Sequence, residues 1–204
     1  MSNEEMLKQL RNITKDKKNW KSRIDYVASK LDDDYSDEVK AKTLWILGEM
    51  GLNYPIEIEP YVKGIAIYLD DENPKLRERA VNALGRIGRA DKNLILDYFN
   101  QLMEMRNDDA SNVRLAFVWA CENIATNSPE LFFEKMDLFY DMIFDCNEKV
   151  RIESPEMFRV MGKRKPQCVE PYLEKLELIA LNDTHPIVRI HSEGAVRITK
   201  KELK

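Results

Sequence analysis

A hydrophobic residue followed by a base recurs along this chain at Val39-Lys40, Leu76-Arg77, Val113-Arg114, Val150-Arg151 and Val188-Arg189. Successive pairs are 37, 37, 37 and 38 residues apart, as the numbering shows. Five positions ahead of each apolar residue stands an aspartate: Asp34, Asp71, Asp108, Asp145 and Asp183. Two chemically unlike columns held in register through five units mark an internal repeat. A period between about 20 and 50 residues is the signature of a solenoid, in which each unit buries its apolar face on the next. One domain over residues 1–204 follows. Its units run approximately over 1–32, 33–69, 70–106, 107–143 and 144–181, with a capping helix at 182–204.

Within each unit, position zero is the apolar residue of the pair. Positions +4, +7, +8 and +11 are then apolar or small. They read Ala80, Ala83, Leu84 and Ile87 in one unit, and Phe117, Ala120, Cys121 and Ile124 in the next. This spacing lays one stripe along one helix face. Gly51, Gly88, Ala125 and Gly162 stand at +12, where a small residue is expected to end or cap the helix. A second helix is predicted around Tyr61, Tyr98, Lys135 and Tyr172, with buried columns at Val62, Phe99, Met136 and Leu173. At the amino end, Ser2 and Glu5 have capping-box spacing, and Trp20, Ile24, Val27 and Leu31 mark a further helix. Pro155 falls inside a first helix, where it predicts a kink or a new helix start at Ser154.

The pattern Asp-(x)4-apolar-Arg-(x)2-Ala-(x)2-Ala-Leu-Gly-x-Ile-Gly resembles that of HEAT repeats, especially the short HEAT-like type of phycobilin lyases. It is clearest at Asp71, Leu76-Arg77, Ala80, Ala83-Leu84-Gly85 and Ile87-Gly88. The resemblance implies an all-α, right-handed α–α superhelix of the HEAT/armadillo-like solenoid class, with about five helix pairs. It also implies that the Asp and Arg columns brace neighbouring loops rather than act on a substrate. A catalytic site needs one constellation, not five copies of one pair.

Composition narrows the function. Hydrophobic residues make up 44% of the chain, charged residues 33%, and the net charge is −4. A general polyanion binder carries the opposite sign, so nucleic acid is disfavoured as a partner. Cys121, Cys146 and Cys168 form no CxxC pair, and Cys121 takes a core position held elsewhere by Leu47, Leu84, Phe158 and Val196. With no apolar leader and no membrane-spanning stretch, a cytoplasmic protein is expected. His185 and His191 are the chain's histidines, and no Walker loop or HExxH occurs. No cofactor, metal or catalytic residue is expected. A monomer or weak homodimer is the expected state.

The second helices carry Asp97, Glu104, Glu134, Asp137, Asp141, Glu170, Glu174 and Glu177 against few bases. They predict an acidic concave face for a protein or basic peptide segment. Trp45 and Trp119 share position +6, facing away from the apolar stripe, and are candidate partner contacts. The expected function is a non-enzymatic protein–protein interaction scaffold. The alternative is a HEAT-like DNA-binding or alkylpurine DNA glycosylase-type repair protein, which would need a basic channel. A tetrapyrrole-lyase role rests on the family resemblance alone.

Overall fold

The computed structural model describes residues 2–32 and 34–204, and among these no strand occurs. Unit boundaries drawn at 1 and 33 fall on Met1 and Asp33, which lie outside the described residues. In chain order the helices are α1 (Asn3–Lys15), α2 (Ile24–Ala28), α3 (Asp37–Asn53), α4 (Pro55–Ile58), α5 (Val62–Ala66), α6 (Pro74–Ala90), α7 (Phe99–Glu104), α8 (Ser111–Asn127), α9 (Met136–Met142), α10 (Glu148–Arg164), α11 (Pro166–Val169), α12 (Leu173–Asn182) and α13 (Pro186–Glu202). The five repeat-bearing helices α3, α6, α8, α10 and α13 are each 17 residues long. Uniform length follows from uniform signals. An Asx turn opens the element, as where Asp71 accepts from the Asn73 amide at 2.8 Å. Asn73 then accepts from the Lys75 amide at 2.9 Å. The capping box forms as expected at α1, with Glu5 accepting from the Ser2 amide at 2.8 Å and donating its own amide to Ser2 Oγ at 3.2 Å.

The chain divides into two compact units, Met1–Ala120 and Cys121–Lys204. In the first, α3 packs on α6, and both bury their stripes completely: Val39, Ile46, Leu47 and Met50 against Leu76, Ala80, Ala83, Leu84 and Ile87. Gly48 lets the backbones approach, since a Cβ there would lie 2.7 Å from Ala83 Cα. Gly85 does the same against Ala120, at 2.5 Å. In the second unit α10 packs on α13, and Val150, Met157, Phe158 and Met161 are buried with Val188 and Ala195. Phe132 and Phe139 meet edge-on at 6.0 Å between ring centroids.

Three expectations are corrected. The glycines at +12 do not cap helices: α3, α6 and α10 run two residues past them, and no described glycine has positive φ. They are close-packing positions instead, Gly51 against Ile87 and Gly162 against Thr199. Pro155 does not split its helix, because α10 runs unbroken through it, and Ser154 Oγ bonds back to the Val150 carbonyl at 2.7 Å.

The third correction concerns the second helices, which are not continuous. Each bends at one residue: Arg23, Tyr61, Tyr98, Lys135 and Tyr172 have φ between −101° and −120° with ψ near zero. A short helical segment before the bend buries Ile58, Ile95, Phe132 and Val169, and a longer one after it buries Val62, Phe99 and Met136. Two apolar columns on either side of the elbow cannot both reach the core along one straight helix, so the chain turns at the bridge conformation.

Candidate binding surfaces

The Asp and Arg columns meet as a ladder. Arg77 grips its own loop, donating Nη1 to the Asp71 carbonyl at 2.8 Å. Its other face forms a bidentate pair with Asp108 of the following repeat, Nε to Oδ2 at 2.6 Å and Nη2 to Oδ1 at 2.8 Å. In the second unit Arg151 donates to Asp183 Oδ2 at 2.8 Å and Arg189 to the Asp183 carbonyl at 2.6 Å. The Arg77 guanidinium and the Ala110 amide hold the Asp108 carboxyl below its ordinary range despite the opposing pull of burial. Arg77 thus ties its own loop to the aspartate of the next repeat, and Arg151 bonds Asp183 of the next, so these columns brace the stack.

The acidic residues of the second helices divide by what they touch. Asp97 and Glu104 belong to the first unit; Asp97 is exposed, and Glu104 accepts a 3.3 Å bond from Asn107. In the second unit Asp137 accepts the Tyr172 hydroxyl at 2.7 Å, and Glu177 pairs with Lys200. The Tyr172 hydroxyl is consequently hard to ionise, through burial first and the Asp137 bond second. Glu134, Asp141 and Glu174 stand exposed with no partner among the described residues. A cleft of about 510 Å³ in this unit is lined by Tyr140, Phe144, Arg151, Lys175, Leu178 and Asp183. Phe144 is 57% exposed, Leu178 55% and Leu181 76%.

The two tryptophans differ. Trp119 is 38% exposed. Trp45 is half-buried under Lys42, whose Nζ lies 4.0 Å from the ring centroid. Trp45 lines a cleft of about 550 Å³ between α1, α3 and α6.

Sequence reasoning missed one group. Glu122 of α8 occupies +9, where other repeats have Gly48, Gly85, Arg159 and Arg197. Its Oε1 is shut off from solvent and has no hydrogen-bond partner among the described residues. Burial, then the carboxylates of Glu156 and Glu153, raise its pKa to about 8, against the opposing Arg159 guanidinium. Arg159 itself pairs with Glu156, and His191 Nδ1 lies 2.8 Å from the Ile152 carbonyl. An acid in a column of small or basic residues was the available signal. His185 caps α13, accepting from the Ile187 amide at 3.2 Å. Cys121 is fully buried, and desolvation pushes its thiol well above the ordinary range. Among the described residues no group of three His, Cys, Asp or Glu is placed to hold a metal, and no helix is long and apolar enough to cross a membrane.

Bent helix units braced by a recurring Asp–Arg ladder define an α-solenoid of the armadillo and HEAT class. Solved structures carry the same fold. A designed armadillo repeat protein in complex with the peptide (KR)4 is similar with a TM-score of 0.69 and 19% identity over 97% of this chain and 94% of that one. A computationally designed armadillo repeat protein for modular peptide recognition gives 0.62 and 18%, over 97% and 94%. An engineered protein gives 0.67 and 14%, over 87% and 79%. The chain belongs to the PDS5 sister chromatid cohesion protein family, whose model matches residues 65–182, more than half of its length. Comparison with curated proteins finds no match.

Proposed function

We propose that the chain is a non-enzymatic protein-interaction scaffold that receives a basic segment of a partner protein on its second helices. The carrying observation is the surface of the second unit, whose second helices expose Glu134, Asp141 and Glu174, without side-chain partners among the described residues, together with Phe144, Leu178 and Leu181. Over residues 129–144 and 166–182 there are seven acids against Lys135 and Lys175. Exposed apolar side chains on helices with an excess of carboxylates suit a partner that brings basic residues beside one or two apolar ones. The shared fold with a designed armadillo protein solved with (KR)4 supports this reading.

The test is the affinity of a labelled (KR)4 peptide, read by fluorescence anisotropy at low salt. Binding should weaken by about tenfold or more when Asp141→Lys and Glu174→Lys are combined, as expected where complementary charge steers the encounter. Equal affinity of the double variant, or no binding by the wild-type chain, would refute the proposal.

A further inference from the structure

We propose that the cleft between α1, α3 and α6 of the first unit is a separate site for an acidic peptide segment of a partner protein. Three cations reach it from three helices: Arg11 from α1, Lys42 from α3 and Arg79 from α6, with Lys75 beside them. Arg11 makes no hydrogen bond or ion pair among the described residues. Lys42 meets only the Trp45 ring, at 4.0 Å. The nearest carboxylate to Arg79 is Glu78, at 3.8 Å. That carboxylate is already held by Lys75 at 2.9 Å and by the Asn112 amide at 2.9 Å.

The other acids nearby are occupied as well. Asp37 accepts from the Asn73 amide group at 2.7 Å, and Glu49 pairs with Arg86 at 2.7 Å. Glu38 lines the cleft as an exposed residue. The Lys42 ammonium gives up its proton more readily than usual, through desolvation first and then the positive charges of Arg11 and Arg79. Positive charge is thus gathered in a partly desolvated hollow in excess over its acids: Arg11, Lys42, Lys75 and Arg79 line it against Asp37 and Glu38. A ligand bringing carboxylates gains attraction and relieves that repulsion in a setting where water screens less than at an open surface.

The shape selects among anions. The cleft is a pocket of about 550 Å³ with Trp45, Leu7 and Ala41 among its walls. Two or three carboxylates can face Arg11, Lys42 and Arg79 while an apolar side chain lies on Trp45. A nucleic acid brings a charge about every 1.7 Å of duplex and needs an extended basic track. Here Asp37 and Glu38 interrupt the track, and the whole chain carries −4. The inference does not depend on the acidic face of the second unit; it concerns other residues of opposite sign, so the two readings fail separately.

The probe is a fluorescein-labelled peptide of six glutamates around one phenylalanine, titrated against the full chain. Binding is expected at low salt and should weaken by about tenfold on raising salt to about 0.3 M, where the screening length falls below about 6 Å. Lys42→Glu and Arg79→Glu should each weaken it by about tenfold or more, leaving (KR)4 binding unchanged. Arg11→Glu alters an exposed residue of α1 and gives the same readout without touching the α3–α6 packing. No binding by the wild-type chain overturns the proposal, as does equal binding by all three variants. Tighter binding of an abasic oligodeoxynucleotide, sensitive to the same substitutions, also overturns it and assigns the cleft to phosphates.

Discussion

Glu122 converts a packing detail into a pH-dependent stability. Its carboxyl has an ordinary pKa of 4.5 and a folded-state value of about 8. The folded chain therefore holds the proton more tightly than the unfolded one. The stabilising contribution is complete below pH 4.5, falls as pH rises between the two values, and is lost above about 8. Each tenfold change in proton affinity is worth about 1.4 kcal/mol, so ionising Glu122 in place costs up to about 5 kcal/mol. Glu122→Gln keeps the size and removes the proton. Chemical denaturation of both proteins at about pH 5.5, 7 and 8.5 isolates the effect, because every other titrating group is common to the two. Relative to the variant, the wild-type chain should lose about 3 kcal/mol of stability between the acid and the alkaline end. Parallel stability profiles across this range would falsify the claim that Glu122 is held protonated by its surroundings.

Other consequences are as direct. Gly85→Ala places a Cβ 2.5 Å from Ala120 Cα, a backbone atom that cannot swing aside. Overpacking of this kind costs about 1–3 kcal/mol, visible as a lower thermal midpoint. Arg77→Leu leaves the Asp108 carboxylate, 6% exposed, without its bidentate partner. A loss of about 3 kcal/mol is expected by denaturant unfolding. Because Asp108 is depressed in the folded state, its contribution is present above its ordinary pKa and is lost as pH falls through the depressed one. The variant should therefore show a weaker acid sensitivity than the wild type. Among the thiols, exposed Cys146 should react with a disulfide reagent in the native state, while buried Cys121 should react only on unfolding. Native-state labelling of Cys121 at the rate of Cys146 would contradict the packing of α8.

The first helices were legible in the sequence, most clearly α6, because three signals agree there. The Asx turn starts the helix, the stripe at +4, +7, +8 and +11 faces the core, and the base at +1 returns to the aspartate loop. The second helices were legible only as places. Their apolar columns are plain, but the elbow at Tyr61, Tyr98 and Tyr172 follows from the need to bury residues on both sides of it. Charge was the least legible feature. Asp137 and Asp141 look alike in the chain, yet one is taken by Tyr172, 35 residues away, and the other has no partner among the described residues.

By itself the sequence determined the repeat and the helical class, and its resemblance to HEAT repeats implied the bracing role of its most regular polar columns. These depend on a period of 37 residues and on contacts between like positions of adjacent units, so one unit predicts the next. Only the tertiary structure decided which charges remain for a partner. Glu122 became an acid with one oxygen shut off from solvent, Glu177 was neutralised by Lys200, and Arg11, Lys42, Lys75 and Arg79 converged in excess of the acids beside them. The physical reason is that neutralisation is pairwise and acts across space. It joins residues far apart in the chain, and no periodic pattern encodes which of several like charges finds its opposite.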